Sequence, residues 1–325
     1  MKTALLAAIA FVGSPAALAD GFSSAMGKVD GWAGWRVPLA EGVAAPCCQS
    51  HSRKGDLHRR CHLDERDWSV TTHKPVASGA SGDLLVFARI EGGKVRRLRV
   101  TSEDCPIDST VPVSDLGAPA PAESVAWLTA QLGTSQSDEA MAAIAWHAGA
   151  PADAALKAAA APGRPMKVRE NALFWIGQTR GAAGVETIAR FATQDPDAAL
   201  REKAIFALSQ AEGTDTFDRI RAIARDDAAP SVRGQAMFWL AQQFPERAEA
   251  EILSLITREK DESVREEGVF ALSQLGDERA AKALIAVARG NYPRDVRRQA
   301  IFWLGQTGSD EAIAFLDTVL SAPER

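Results

Sequence analysis

Histidine is missing from the chain beyond residue 147 and cysteine beyond residue 105, and neither a basic excess nor a second long apolar run makes up for them. Each absence excludes something. With 37 Lys and Arg against 42 Asp and Glu the formal charge is −5, and the two signs are well mixed. No basic stripe follows a phosphate backbone, so no nucleic-acid partner is expected. Past the N-terminus no apolar stretch reaches the roughly 20 residues that span a bilayer, so no transmembrane segment is expected in the mature chain. No nucleophile, base and orienting group occur together, so the expectation is a chain that is not an enzyme, with no catalytic residue and no cofactor.

The apolar stretch that does exist opens the chain. Lys2 precedes a nearly unbroken apolar run from Thr3 to Val12, and Ala17 and Ala19 place small residues at the −3 and −1 positions of a cleavage site. Residues 1–19 therefore read as a signal peptide, with the mature chain starting at Asp20. No cysteine stands at that junction, which argues against a lipid anchor. The expected location is the periplasm or the exterior.

From Asp20 to about Leu116 the composition differs from the rest. All four cysteines (Cys47, Cys48, Cys61 and Cys105) lie here, with four of the five histidines. Trp32 to Val37 alternates as a strand does, and Asp83–Ile90 and Lys94–Val100 flank Glu91-Gly92-Gly93 as a hairpin. A small β-rich domain with a thin core is expected over residues 20–116, stabilised by disulfides. Adjacent Cys47 and Cys48 would close a strained ring, so the expected pairings join them separately to Cys61 and Cys105.

Cys47, Cys48, His51, His58, Cys61, His62 and His73 crowd into 27 residues, which opens an alternative metal or thiol-redox reading. The spacing matches no established zinc finger, and Cys61-His62 lacks the second cysteine of a haem attachment site. Interleaved arginines oppose a bound cation, so no metal is the first expectation. Lys94, Arg96, Arg97 and Arg99 form a basic strand edge of the kind that deters sheet aggregation.

Residues 117–136 read as a Pro/Ala-rich linker and a first helix, Pro121 to Leu132. A second helix, Ser137 to His147, carries Asp138 and Glu139 in its first turn. His147, alone near that helix's end, is expected at the surface or facing the helix dipole.

Beyond it an eleven-residue phrase, Val168 to Gln178, recurs at Leu200, Val232, Val264 and Val296 at a constant step of 32 residues. A fixed period of this size marks stacked units, each burying its apolar face only against its neighbours. A second helix per unit is marked by Leu156, Ile188, Ile220, Ile252, Leu284 and Leu316, with a further row at Phe191, Ile223, Leu255, Val287 and Val319. Residues 137–325 are thus a helical repeat array whose first copy is degenerate.

The core of the phrase, Val-Arg-x-x-Ala-x-x-x-Leu, is carried by Val168, Arg169, Ala172 and Ile176 and their equivalents, and it resembles HEAT repeats of the short bacterial, phycocyanobilin-lyase-like type. That resemblance implies a mainly α fold: a right-handed α-solenoid of HEAT-like helix pairs, here preceded by the β-rich domain. The family includes deoxyhypusine hydroxylases, whose iron needs His-Glu pairs. From residue 148 onward the array has no histidine, which excludes that chemistry.

At about 100° per residue the Val168, Ala172, Leu173 and Ile176 slots share one face and form the core. Arg169, Arg201, Arg233, Arg265 and Arg297 fall within the same arc, as a structural ladder expected to bond turn carbonyls and acids such as Asp197 and Asp261. Phe174, Phe206, Phe238, Phe270 and Phe302, with Gln178, Gln210, Gln242, Gln274 and Gln306, lie on the opposite side. Trp175, Trp239 and Trp303 flank them in alternate repeats, where Ala207 and Ala271 stand in the others. Two readings stay open for these slots: packing between repeats, or a concave recognition face for a protein or extended peptide. The function expected is an exported scaffold that binds another protein.

Overall fold

The computed structural model describes residues 21–43, 46–51, 57–58, 61–64, 69–72, 82–103, 105–211 and 215–321. The expected leader and His73 lie outside the described residues. Two compact units divide the chain, residues 1–179 and 180–325. The change of character expected at residue 116 coincides with the end of the last strand, well before that division.

In the first unit α1 (Phe22–Gly27) leads into β1 (Gly31–Pro38), β2 (Pro46–His51), β3 (Leu57–His58), β4 (Cys61–His62) and β5 (Ser69–Thr72). Then follow β6 (Asp83–Glu91), β7 (Lys94–Ser102), β8 (Ile107–Asp108) and β9 (Val113–Asp115). The main sheet has the order β7-β6-β1-β9, antiparallel except for the parallel β1–β9 pair. Gly92 and Gly93 turn the β6–β7 hairpin with φ of 57° and 72°, the two positive values that a tight hairpin turn requires.

β1 is covered on both faces, which corrects the expectation of a thin core. Trp32 packs with Cys47, Leu63, Leu85, Phe87, Cys105 and Ile107. Gly34 makes room for this cluster, because a Cβ there would meet the Phe87 ring at 2.9 Å. On the opposite face Trp35 lies edge-on to Phe22 (5.3 Å) and Trp127 (5.4 Å), and its Nε1 donates to Ser124 Oγ at 3.0 Å. Trp127 and Ser124 belong to α2 (Pro121–Thr129), so the helix expected within a linker instead closes the sheet's second side. It ends three residues earlier than the sequence suggests, in a run of turns up to Gly133.

Next come α3 (Ser137–Trp146), α4 (Ala150–Ala160) and α5 (Met166–Thr179). α3 is tied to the strands: Leu98 N–H donates to Gln136 Oε1 just before it, and Ala40 N–H donates to the Trp146 carbonyl. His147 caps its C-terminus and is fully buried, bridged through its backbone to Leu39. The expected surface position is thus corrected, because the chain after β1 runs across the end of α3 and covers it.

The second unit is helical throughout: α6 (Gly181–Gln194), α7 (Ala198–Gln210), α8 (Thr216–Asp226), α9 (Pro230–Gln243), α10 (Pro245–Arg258), α11 (Glu262–Ser273), α12 (Asp277–Arg289), α13 (Arg294–Thr307) and α14 (Asp310–Leu320). The recurring phrase forms α5, α7, α9, α11 and α13. Within the second unit α7, α9, α11 and α13 pack in succession, and the intervening helices form the other layer. The core slots are buried as expected, for example Leu200, Ala204, Ile205 and Leu208 on α7. Ile188, Ile220, Ile252 and Leu284 are buried from the other layer, and each such side chain contributes about 1.5–3 kcal/mol. The second row departs from expectation at its ends, Phe191 being half-buried and Val319 exposed. The molecule is mainly helical, with a small N-terminal sheet region.

Candidate functional site

The arginine slot of the phrase builds a ladder through the turns. Arg201 forks onto Asp227, its Nε and Nη2 donating to the two carboxylate oxygens at 2.8 Å each, while Nη1 donates to the Asp195 carbonyl at 2.9 Å. One repeat on, Arg233 forks onto Glu259 at 2.8 and 3.1 Å and bonds the Asp227 carbonyl at 2.9 Å. Asp227 therefore joins two repeats, by carboxylate to one arginine and by carbonyl to the next. The expected acids were Asp197 and Asp261, which instead cap α7 and α11 by accepting from Ala199 N–H and Ser263 N–H. The reason is reach: each guanidinium extends to the turn that follows its own helix pair, 26 residues on. In step with Asp227 and Glu259, position 291 is Asn, and Arg265 bonds the Glu259 carbonyl at 2.7 Å. Arg169 is buried, with Nε donating to the Ala160 carbonyl at 2.9 Å, whereas Arg297 is exposed rather than inside the core arc.

Burial pushes the Asp227 carboxyl up, but the Arg201 hydrogen bonds, the Ala229 N–H and the charges of Arg201 and Arg233 outweigh it and hold it below its ordinary range. The same balance, with Arg233 as partner, keeps Glu259 low. Asp227, Arg233, Glu259, Arg225 and Arg258 line a cleft of about 550 Å³ at these turns.

On the opposite face of α7, α9, α11 and α13 the aromatic slots form one continuous ribbon. Phe206 meets Trp239 at 4.9 Å between centroids, Trp239 meets Phe238 at 5.0 Å, and Phe238 stacks on Phe270 at 5.8 Å with the planes 6° apart. Phe270 then meets Trp303 at 5.0 Å, and Trp303 meets Phe302 at 5.1 Å. The alternation of Trp with Ala explains the pattern. Where the next repeat carries Trp, the Phe packs on it; where it carries Ala271, the Phe reaches the following Phe. Phe206 and Phe302 remain exposed, Phe238 and Phe270 are half-buried, and the Gln residues at 210, 242 and 306 are exposed. Gln242 Nε2 donates to Gln274 Oε1 at 3.2 Å, a rung between neighbouring repeats. The ribbon is thus both packing and surface. In the first unit Trp175 lies between Trp146 (4.8 Å) and the exposed Phe174 (5.5 Å), and Gln178 is exposed. Chemically the face offers flat apolar area flanked by amides, each with two donors and an acceptor.

In the sheet region Cys47 is bonded to Cys105, one of the expected pairings. The alternative ligand set therefore loses Cys47, whose sulfur is no longer a thiolate. The side chains of Cys48, His51, His58 and Cys61 lie outside the described residues, and His62 is half-buried on β4. Arg97 and Arg99 depart from the expected charged edge. Arg97 donates to the Asp64 carbonyl at 2.8 Å, and Arg99 is buried, its pKa lowered first by that burial and then by the charge of Arg97.

Sequence reasoning missed Asp64. Its Oδ1 accepts from Trp32 Nε1 and Arg89 Nη1, both at 2.9 Å, and its Oδ2 from Thr110 N–H (2.9 Å), Thr110 Oγ1 (2.7 Å) and Ser109 Oγ (3.2 Å). Burial pushes the carboxyl up, but the bonds from Trp32, Thr110 and Ser109 prevail and hold it at about 2. The donors come from three distant segments, so no local pattern announces them. Asp64→Asn is expected to cost about 1 kcal/mol at neutral pH, once solvent screening is allowed for. Because the folded pKa is depressed, this contribution is complete above the ordinary value of 3.8 and lost as pH falls towards 2. Urea unfolding of both proteins at neutral and acid pH checks it: the gap between them should close at low pH.

A HEAT-repeat family model matches residues 152–237 and 217–301, and the PBS lyase HEAT-like repeat matches residues 296–321. No curated protein matches the sequence. Among solved structures, the complex of CpcE and CpcF of phycocyanin lyase from Nostoc sp. PCC7120 is similar at 19% identity and a TM-score of 0.36, over 46% of this chain and 98% of that one. Human deoxyhypusine hydroxylase, in complex with glycerol, is similar at 18% identity and a TM-score of 0.28, over 63% of this chain and 92% of that one. The expectation that the chain is not an enzyme is corrected here. Residues 296–321 match the PBS lyase HEAT-like repeat, a type named for an enzyme, so the lack of a nucleophile, base and orienting group in the sequence does not exclude one. Among the described residues no helix is long and apolar enough to cross a membrane. By the family models that match residues 152–321, the chain belongs to the HEAT-repeat proteins.

Proposed function

We propose that the chain is an exported scaffold that holds another protein, as an extended segment or an apolar surface, on the aromatic and glutamine face of its HEAT array. The observation that carries this reading is the continuous ribbon from Phe206 to Phe302, whose end rings and flanking amides stay open to solvent. Aromatic rings beside amides suit protein recognition, since they combine large contact area with backbone hydrogen bonding. Export is supported by the composition of residues 1–19 and by the Cys47–Cys105 disulfide, a bond that persists in oxidising compartments.

The match of residues 296–321 to the PBS lyase HEAT-like repeat favours a second reading, in which the bound protein is the substrate of a lyase. Cross-linking capture with the wild type, Phe206→Ser and Gln242→Ala separates the outcomes. Gln242→Ala should stay within about 1 kcal/mol of the wild type in stability, and Phe206→Ser, which also gives up its contact with Trp239, should lose about 2 kcal/mol yet remain folded, while both lose a captured partner. Equal capture by all three sinks the binding face. A change in the captured protein's mass on incubation favours the lyase reading.

A further inference from the structure

The aromatic face repeats at the spacing of its helices, and that spacing selects a ligand conformation. α7, α9, α11 and α13 pack in succession, with neighbouring axes about 8–10 Å apart. A β-strand presents one face every second residue, about 6.8 Å, and falls out of step with such an array within about two repeats. A polyproline II segment turns once in three residues, about 9.3 Å, so the same edge of it meets each repeat in turn. It also makes no internal hydrogen bonds, which leaves its carbonyls for the amide row. Gln242 and Gln274 each donate one N–H within the array, to Gln274 Oε1 and Ser273 Oγ, and a side-chain amide carries two.

Charge narrows the choice further. One turn before the rings, on the same side of the helices, stand Glu202 on α7 and Glu267 on α11, and between them α9 carries Gly234. A Cβ on Gly234 would collide with the Glu267 carboxylate, so the glycine is a notch in which that side chain lies across α9. Burial, followed by the charges of Glu202 and Asp261, pushes the Glu267 carboxyl up. Asp227 and Glu259 have Arg201 and Arg233 as partners, but among the described residues no Lys or Arg pairs with Glu202 or Glu267. The nearby Arg298 is held by Asp295 at 2.8 Å. Resting on the reading of this face as a binding surface, we infer that its partner is a proline-rich segment in the polyproline II conformation, one turn per repeat, with a Lys or Arg side chain set between Glu202 and Glu267. Such a segment is stiff before it binds, so it loses little entropy on an aromatic surface. Its cation meets two like charges that the fold leaves unmatched.

Fluorescence anisotropy of labelled peptides on the full chain tests it, with about twelve residues to cover the four helices at one turn each. Repeating Pro-Pro-Arg should bind about tenfold or more tightly than repeating Gly-Ser-Arg, which has the charge without the conformation. The same margin should separate it from Pro-Pro-Glu, which has the conformation with the opposite charge. Glu202→Gln with Glu267→Gln should remove most of the preference for Arg over Glu, yet leave binding of repeating Pro-Pro-Ala within about twofold. Phe206→Ser should weaken Pro-Pro-Arg and Pro-Pro-Ala alike. The inference is overturned if Gly-Ser-Arg or Pro-Pro-Glu binds as tightly as Pro-Pro-Arg, if no proline peptide binds, or if the double variant keeps the charge preference intact. In each of these cases the binding face itself stands when Phe206→Ser still loses the cross-linked partner, and falls as well when capture is equal in all variants.

Discussion

Arg233→Ala is expected to lower the stability of the 180–325 unit by about 3–5 kcal/mol, among the larger effects of a single substitution. The side chains of Arg233 and Glu259 are each 13% exposed, so the variant leaves a carboxylate in the turn with its fork partner gone. It also strips a donor from the Asp227 carbonyl, through which the Arg201 rung is joined to the next. Most of the loss is this uncompensated burial rather than the worth of the pair. Arg233→Lys should recover only part of it, because an ammonium cannot bond both carboxylate oxygens and the carbonyl together. Acid supplies a second measurement. Glu259 is held below its ordinary value, so its contribution is complete above that value and disappears as pH falls through the depressed one. Urea unfolding followed at 222 nm should show wild type and variant converging in acid. Equal stability of the two at neutral pH would falsify the ladder's role.

Trp239→Ala is expected to cost about 2–3 kcal/mol, less than a fully buried tryptophan because the ring is half-buried. It breaks the ribbon where Phe206 and Phe238 both rest on the indole, so the loss should be shared between neighbouring repeats. A double-mutant cycle with Phe206→Ala should give a coupling of about 0.5–1.5 kcal/mol. Trp239→Phe should be far milder than its lost area suggests. The indole Nε1 is buried with no hydrogen-bond partner among the described residues, and removing an unsatisfied donor returns about 1–3 kcal/mol. Coupling near zero, or a Phe variant as damaged as the Ala variant, would show that the rings merely lie close.

The helical array was legible because its rules are local and repeated. Val232, Ala236, Met237 and Leu240 are buried where a helical wheel puts them. The arginine slot was legible as structural, yet its acids were not, since Asp227 is reached across a whole helix pair and Asp197 is nearer in sequence. The open question at the aromatic slots, packing or recognition, had no answer in periodicity. Phe238 stacking on Phe270 and Phe206 standing open at the edge depend on how far each ring reaches between helices.

The N-terminal region shows the other limit. Its hairpin, with Gly92 and Gly93 at positive φ, was visible in a few adjacent residues. Asp64 was invisible, because Trp32, Arg89 and Thr110 reach it only once the strands that carry them are laid side by side.

By itself the order of residues determined the period, the helix pairs, the buried slots and the hairpin, all consequences of interactions over a few residues or one repeat step. Only the tertiary structure decided that α2 closes the sheet, that Cys47 bonds Cys105, that arginines join non-adjacent turns and that the aromatic slots fuse into one ribbon. Those outcomes turn on distances between segments far apart in the chain, which no local pattern encodes.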